Sequence, residues 1–139
     1  MSRNLHELLR TKLGDDEFIE AIEEEGGSLY LHVRPSSLLK CVSILQLDRI
    51  LMFSSLVDCF AVNPPKHFSG ENGDISIYYQ LVSYLLGKHL FIITDIPDRK
   101  NAQSLTGVFW NSDWYEREIF EAFGVSFDDH PNMNPIFRT

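Results

Sequence analysis

Asp74 to Ile96, DISIYYQLVSYLLGKHLFIITDI, decides the architecture. Ile, Tyr and Val crowd its first half, Gly87-Lys88 interrupts it, and His89 to Ile96 resumes an apolar run that Pro97 stops. Runs of β-branched and aromatic residues bounded by turn residues predict two strands, Asp74 to Leu86 and His89 to Ile96. Upstream, Pro64-Pro65, Ser69-Gly70 and Asn72-Gly73 mark a loop. Leu56 to Asn63 before it predicts the hairpin partner of the first strand, and the three form a meander. Ile50 to Phe53 is a poorer strand candidate. Asp58 lies inside an apolar run, either as an edge-facing or hydrogen-bonded acid or as half of an interface ion pair. The sequence leaves both open.

Toward the N-terminus, Ser28 to Arg34 alternates Leu29, Leu31 and Val33 with Tyr30, His32 and Arg34, the pattern of a half-buried strand with His32 on the solvent side. Pro35 opens a helix capped by Ser36 and Ser37, and Leu38, Cys41, Val42 and Leu45 follow at helical spacing to about Leu47. Leu5 to Leu13 and Asp16 to Glu25 predict two short helices divided by Gly14, the second ending at Gly26-Gly27. His67 and His89 sit beside turns and are expected in solvent. Asp98 to Leu105 is polar and loop-like, leading to Val108-Phe109-Trp110. The order argues for an α+β fold: a mixed or antiparallel sheet with a strand meander, and helices packed mainly on one face.

The stretch from Trp110 to Pro131, WNSDWYEREIFEAFGVSFDDHP, holds most of the functional information. Asp113 can cap a helix from Trp114 to Phe123, with Glu116 reaching back as in a capping box and Gly124 as the left-handed terminator. Tyr115, Ile119, Phe120, Ala122 and Phe123 fall on one broad face. Trp114, Arg117, Glu118 and Glu121 fall on the other, where Arg117 and Glu121 are one turn apart and can pair. Glu116 breaks the pattern, since a carboxylate on an apolar face is costly unless capped or paired. It is either the capping-box glutamate, which physics alone favours, or an ion pair with an arginine. Asp128-Asp129-His130-Pro131 could suggest a metal or acid/base site, but adjacent residues rarely point the same way. A turn is the better account.

At 139 residues the chain makes one domain, long enough to bury roughly two-thirds of its unfolded surface. Twelve Lys and Arg stand against twenty Asp and Glu, for a net charge of −8, and Asp15 to Glu25 holds seven of the acids with no basic residue. With no basic stripe, binding to nucleic acid is not expected. Apolar runs such as Leu81 to Leu86 are far shorter than a bilayer span. The N-terminal segment is amphipathic with internal charges, unlike a signal peptide, and predicts a cytosolic location. Cys41 and Cys59 are isolated in apolar surroundings and read as buried free thiols without a disulfide. Two distant cysteines cannot hold an iron–sulfur cluster, which typically takes four thiolates. No glycine-rich nucleotide fingerprint occurs, nor any recognisable nucleophile and base pattern.

Glu116-Arg117-Glu118, the acid at Glu121, Phe123-Gly124-Val125, Phe127 and His130-Pro131 closely resemble the signature of the C-type subunit of proton-translocating NADH:quinone oxidoreductase, respiratory complex I. Leu56 to Pro64 resembles that family's strand and its acid-containing end, and Asn111 to Tyr115 its asparagine-tryptophan-tyrosine lead-in, so the resemblance covers most of the chain. The chain departs from the pattern with Glu121 for aspartate, Ala122 for a bulky apolar residue, Asp129 for the glycine before His-Pro, and Asn134-Pro135 for two arginines.

The resemblance implies a single domain of this C-type over residues 1–139, with the signature helix and loop at 110–131. Its implied role is that of a non-redox structural subunit in the quinone-reducing module of the peripheral arm, docked on the D-type subunit and close to the B-type one. There it would support electron transfer from NADH to quinone coupled to proton translocation. No cofactor is implied in this chain, FMN and iron–sulfur clusters belonging to other subunits. NADH, quinone and the membrane would be met only through the complex, on the cytoplasmic side of a bacterial inner membrane. Trp114, Arg117, Glu118, Glu121 and His130 are then docking residues, and Glu116, Gly124 and Pro131 structural ones. The alternatives are a homologous subunit of a membrane-bound hydrogenase-type complex, a free-standing hydrolase using Glu116, Glu118 and His130, and a stand-alone binding module.

Overall fold

A computed structural model describes residues 2–13, 19–62 and 75–131. In chain order the elements are α1 (Ser2–Leu13), β1 (Ile19–Glu25), β2 (Ser28–Val33), a 3-10 turn at Pro35–Ser37, α2 (Leu38–Leu47), β3 (Ser55–Val62), β4 (Ile75–Ser83) and β5 (Lys88–Ile96). A second 3-10 turn at Pro97–Arg99 leads to β6 (Ala102–Gln103), α3 (Ser112–Phe123) and β7 (Phe127–Asp128). Five strands form one sheet in the order β1-β2-β5-β4-β3, and β6 and β7 make a small parallel pair. Among the described residues of the large sheet, only β2 and β5 pair in parallel. The expected α+β fold, mixed sheet and meander of β3, β4 and β5 are therefore present. The predicted loop from Pro64 to Gly73, with His67, and the departures at Asn134 and Pro135 lie outside the described residues, as does Gly14.

The predicted helix from Asp16 to Glu25 is instead β1 over its described part. Gly26 and Gly27 have φ of 59° and 82°, so they form the two-residue left-handed turn of a hairpin rather than a helix stop. Glutamate favours helices, but a run this short gains more from a ladder along β2 that pairs Ile22 with Leu31 and Glu25 with Ser28. Ile50 to Phe53 forms no strand; Asp48 Oδ1 accepts the Ile50 and Leu51 amides and curls the chain there.

One face of the sheet carries the core. Leu29 and Leu31 of β2, Ile77, Tyr79 and Leu81 of β4, and Leu90 and Ile92 of β5 join Leu5, Leu9 and Leu13 of α1 and Leu38, Cys41, Val42 and Leu45 of α2 in a single apolar cluster. Each such side chain contributes about 1.5–3 kcal/mol on leaving water. The opposite face holds aromatic pairs across neighbouring strands, Tyr30 stacked on Phe91 at 4.9 Å and Phe60 on Tyr78 at 5.1 Å. This second layer corrects the expectation for His32, which is 2% exposed, with Nε2 hydrogen-bonded to Glu23 Oε1 on β1 at 2.7 Å. Alternation along β2 does separate two faces, but the neighbouring strands and their side chains cover both.

The register also sorts the molecule into two ends. β3 begins beside the end of β4, Ser55 opposite Val82, and β5 begins beside the same point, Lys88 opposite Ser83. The last turn of α2 leads into β3 through Phe53, whose amide bonds Leu45 O. At this end Leu47, Ile50, Tyr84, Leu85, Trp110 and Trp114 are all exposed. At the other end lies a groove of about 380 Å³ lined by Pro35, Pro97, Lys100, Gln103 and Asp128 among others.

Candidate docking surface on the third helix

α3 begins at Ser112, two residues earlier than predicted, and Asn111 at the N-cap position makes no capping bond. Its amide Nδ2 donates to Leu56 O at 2.8 Å, and Tyr115 Oη one turn on donates to Val57 O at 3.3 Å. Both acceptors belong to β3, an edge strand of the sheet. Asp58 is exposed on the same edge, where one carboxylate oxygen accepts its neighbour Cys59's amide at 2.8 Å. Helix and acid together occupy backbone groups that would otherwise pair with another strand.

The inward side of α3 is held by Glu116. Its side chain is 0% exposed, and no capping box forms: Oε2 accepts the Leu105 amide at 2.7 Å and the Ser112 hydroxyl at 2.6 Å. The carboxylate thus ties the helix to the loop after β6, in place of the backbone behind it. Burial raises the Glu116 pKa above its ordinary value, and the bonds from Ser112 and Leu105 pull it back in part. His130 completes the cluster from the far side. Its side chain is fully covered, with Nε2 2.9 Å from Asp113 Oδ1 and 3.8 Å from Glu116 Oε1. The turn expected at Asp128 to Pro131 is present, and Asp129 takes a φ of 65° there. Among the described residues no group of three or more His, Cys, Asp or Glu is placed to hold a metal ion.

Burial also governs the thiols. Cys41 is free and its pKa is pushed up to about 12, and Cys59 is free and raised well above its ordinary value by burial and then by the Glu116 and Asp58 charges.

The docking residues expected from sequence divide. Trp114, Glu118 and Glu121 are exposed along one stripe of α3. Arg117 is half covered: it faces Asp113 at 3.4 Å, not Glu121, and lies 5.6 Å over the Trp114 ring. His130 is turned inward. Ala122, assigned to the buried face, is exposed, and Phe120 is only half buried. Gly124 has the left-handed φ of 75° expected of a helix terminator, and Arg99 Nη1 donates to Phe123 O at 2.9 Å to finish the helix end. Pro131 is exposed beside His130. The roles of Asn111, Tyr115 and Arg99 escape sequence reading, because each depends on a partner distant along the chain.

The family model described as "Respiratory-chain NADH dehydrogenase, 30 Kd subunit" matches residues 31–139. The C-type subunit of NADH-quinone oxidoreductase from Paramagnetospirillum magneticum is 31% identical over 110 residues, 79% of this chain and 53% of the relative. Its counterpart of the same name from Roseobacter denitrificans is 30% identical over 139 residues, 98% of this chain and 67% of the relative. The chain spans about half the length of most of the curated relatives compared with it. Among solved structures, the trypsin-resistant fragment 1–134 of Nqo5 superposes with a TM-score of 0.68 at 18% identity, over 94% of this chain and 98% of that one. That likeness bears on the fold.

Proposed function

The chain belongs to the 30 Kd subunit family of respiratory-chain NADH dehydrogenase, and on that premise we propose that it is a non-redox, architectural subunit of an NADH:quinone oxidoreductase. Its place is the quinone-reducing module of the peripheral arm, against the D-type subunit and near the B-type one, on the cytoplasmic side of the membrane. NADH and quinone are handled by the assembled complex, and FMN and iron–sulfur clusters sit on other subunits. The two cysteines of this chain fall short of the four thiolates a cluster takes.

The observation that carries the proposal is the division of α3. Glu116 and His130 are spent inward on holding the helix, while Trp114, Glu118 and Glu121 face outward. The outward stripe supplies the docking contacts, and Arg117 orients Trp114 from beneath. Arg117→Ala loses a partly exposed i,i+4 pair worth about 0.3–0.5 kcal/mol, so the melting temperature of the isolated domain is expected to stay within about 2 °C. In the docked state the same change leaves the Trp114 ring unsupported and Asp113 without its Arg117 counter-charge in a desolvated surface, and is expected to cost about 2–5 kcal/mol. Titration of each variant with the co-expressed cognate D-type subunit, alongside thermal melts, checks both halves. A domain unfolded by Arg117→Ala, or full binding by it, refutes the assignment.

A further inference from the structure

Against the inner side of α3, four charged or titratable side chains meet at one point. His130 Nε2 donates to Asp113 O at 3.4 Å and stands 2.9 Å from Asp113 Oδ1 and 3.8 Å from Glu116 Oε1. Arg117 Nε faces the same Asp113 oxygen at 3.4 Å. The side chains of Glu116 and His130 are fully covered, whereas Asp113 and Arg117 reach partly into water. Asp113 Oδ1, Glu116 Oε1 and Arg117 Nε are all buried atoms without an aligned hydrogen bond. Charge alone holds them, and a buried carboxylate oxygen in that position is costly unless its ion is balanced.

The balance requires one proton. Two carboxylates face one guanidinium, so with a neutral imidazole the cluster keeps one uncompensated negative charge. A proton on Glu116 or on His130 cancels it. The groups that face the cluster from other elements add no cation. Burial holds the Cys59 thiol on β3 and the Tyr79 phenol on β4 well above their ordinary values, so both stay neutral. Asp58 on the β3 edge, and Asp128 and Asp129 beside His130, are exposed acids. The Ser104 hydroxyl also favours the charged form of Glu116, but lies 2.9 Å from Thr106 Oγ1. Arg99 is committed to Phe123 O at the far end of the helix. Two buried groups this close titrate as a pair, with a proton that belongs to both.

We infer that Asp113, Glu116, Arg117 and His130 form one proton-binding site, in which a proton shared by Glu116 and His130 pins the turn after β7 to α3. Its loss as pH rises leaves a buried charge at the point where the turn meets the helix. Two contacts carry the effect outward: the Ser104 amide bonds Asp128 O in the turn, and Arg117, which shares Asp113 with His130, lies over the Trp114 ring. The site thus couples the outer face of α3 to pH. The inference stands on this cluster and does not depend on the family role.

The test uses the full chain, with the Glu116 carboxyl followed by carbon NMR and amide exchange read residue by residue. The pH is raised stepwise from the carboxyl range through neutral. Wild type is compared with Glu116→Gln and with His130→Gln, which keeps a donor for Asp113 O but has no nitrogen to protonate. In His130→Gln the Glu116 midpoint is expected to rise by about one pH unit or more, because the imidazolium charge that lowers it is gone. A histidine that only packs leaves that midpoint in place. Because the folded-state value of Glu116 is raised, the stabilisation is complete below the unfolded value and is lost as pH rises through the folded one. Protection of the Ser104 amide, corrected for intrinsic exchange, is therefore expected to fall about tenfold relative to the β4–β5 ladder as wild type passes the Glu116 midpoint. In Glu116→Gln it is expected to stay level with pH. An unmoved Glu116 midpoint in His130→Gln overturns the shared proton, and level Ser104 protection in wild type overturns the pin. If Glu116→Gln does not fold, His130→Gln carries both readings, since its Ser104 protection is expected to be lost at the higher midpoint. None of these outcomes bears on the family role.

Discussion

Glu116 shows how one side chain can be essential to the fold and still disfavour it in its charged form. The carboxylate satisfies Leu105 and Ser112 inside the protein, so Glu116→Ala strands a buried amide and a hydroxyl and is expected to cost about 2–4 kcal/mol. Glu116→Gln keeps an acceptor and is expected to fold. Because burial raises the folded-state pKa above 4.5, the folded form takes up a proton at higher pH than the unfolded chain. The stability this site contributes is full below the unfolded value and is lost as pH rises through the folded one. Thermal melts taken stepwise as pH falls from neutral into the carboxyl range should show wild type gaining on Glu116→Gln; parallel curves would contradict the assignment. The sequence exposes the anomaly, an acid on an apolar face, but not its resolution, since Leu105 is eleven residues away through a loop. Asp129 is more legible. Its φ of 65° lies where glycine is relaxed and where Asp and Asn are tolerated, which explains why a glycine suits that position.

At the scale of elements, α3 and β3 act as one unit. Asn111→Ala removes the donor to Leu56 O and is expected to cost about 1 kcal/mol and to leave the β3 edge open to strand pairing. Concentration-dependent light scattering on heating, compared with wild type, measures the second effect. The meander, α2 and the body of α3 can be read directly because their patterns are local: alternation, helical spacing and turn residues. Two failures share a cause. The acidic run before Gly26 looks helical because glutamate propensity is local, whereas its ladder with β2 is not. Likewise Asp113 is a natural cap for α3 by sequence, but it faces Arg117 and His130 instead, and tertiary partners displace the local bond. The exposed stripe on α3 is legible in outline, with Trp114, Glu118 and Glu121 outward as expected. His130 is not, because a histidine beside a proline turn gives no sign of which way its ring will fold.

For the whole molecule, the apolar end is invisible in sequence. Leu47, Leu85 and Trp110 are ordinary singly and become a surface only when the sheet order brings their elements together. That same order has a kinetic side. β2 pairs with β5 in parallel, Leu29 opposite Leu90, with α2, β3 and β4 lying between them in the chain. Every other neighbour pair in the large sheet is a sequential hairpin or meander partner, so this seam alone must close a long loop before it is stabilised. Refolding is therefore expected to begin in two halves, the β1–β2 hairpin and the β3–β4–β5 meander, with the seam zipping last. Pulsed hydrogen exchange reads this order directly: amides of the β4–β5 ladder gain protection early, and those shared by β2 and β5 late. Until the seam closes, the apolar flanks of both halves stand open together, and a newly made chain is then most in need of a chaperone or of its partner.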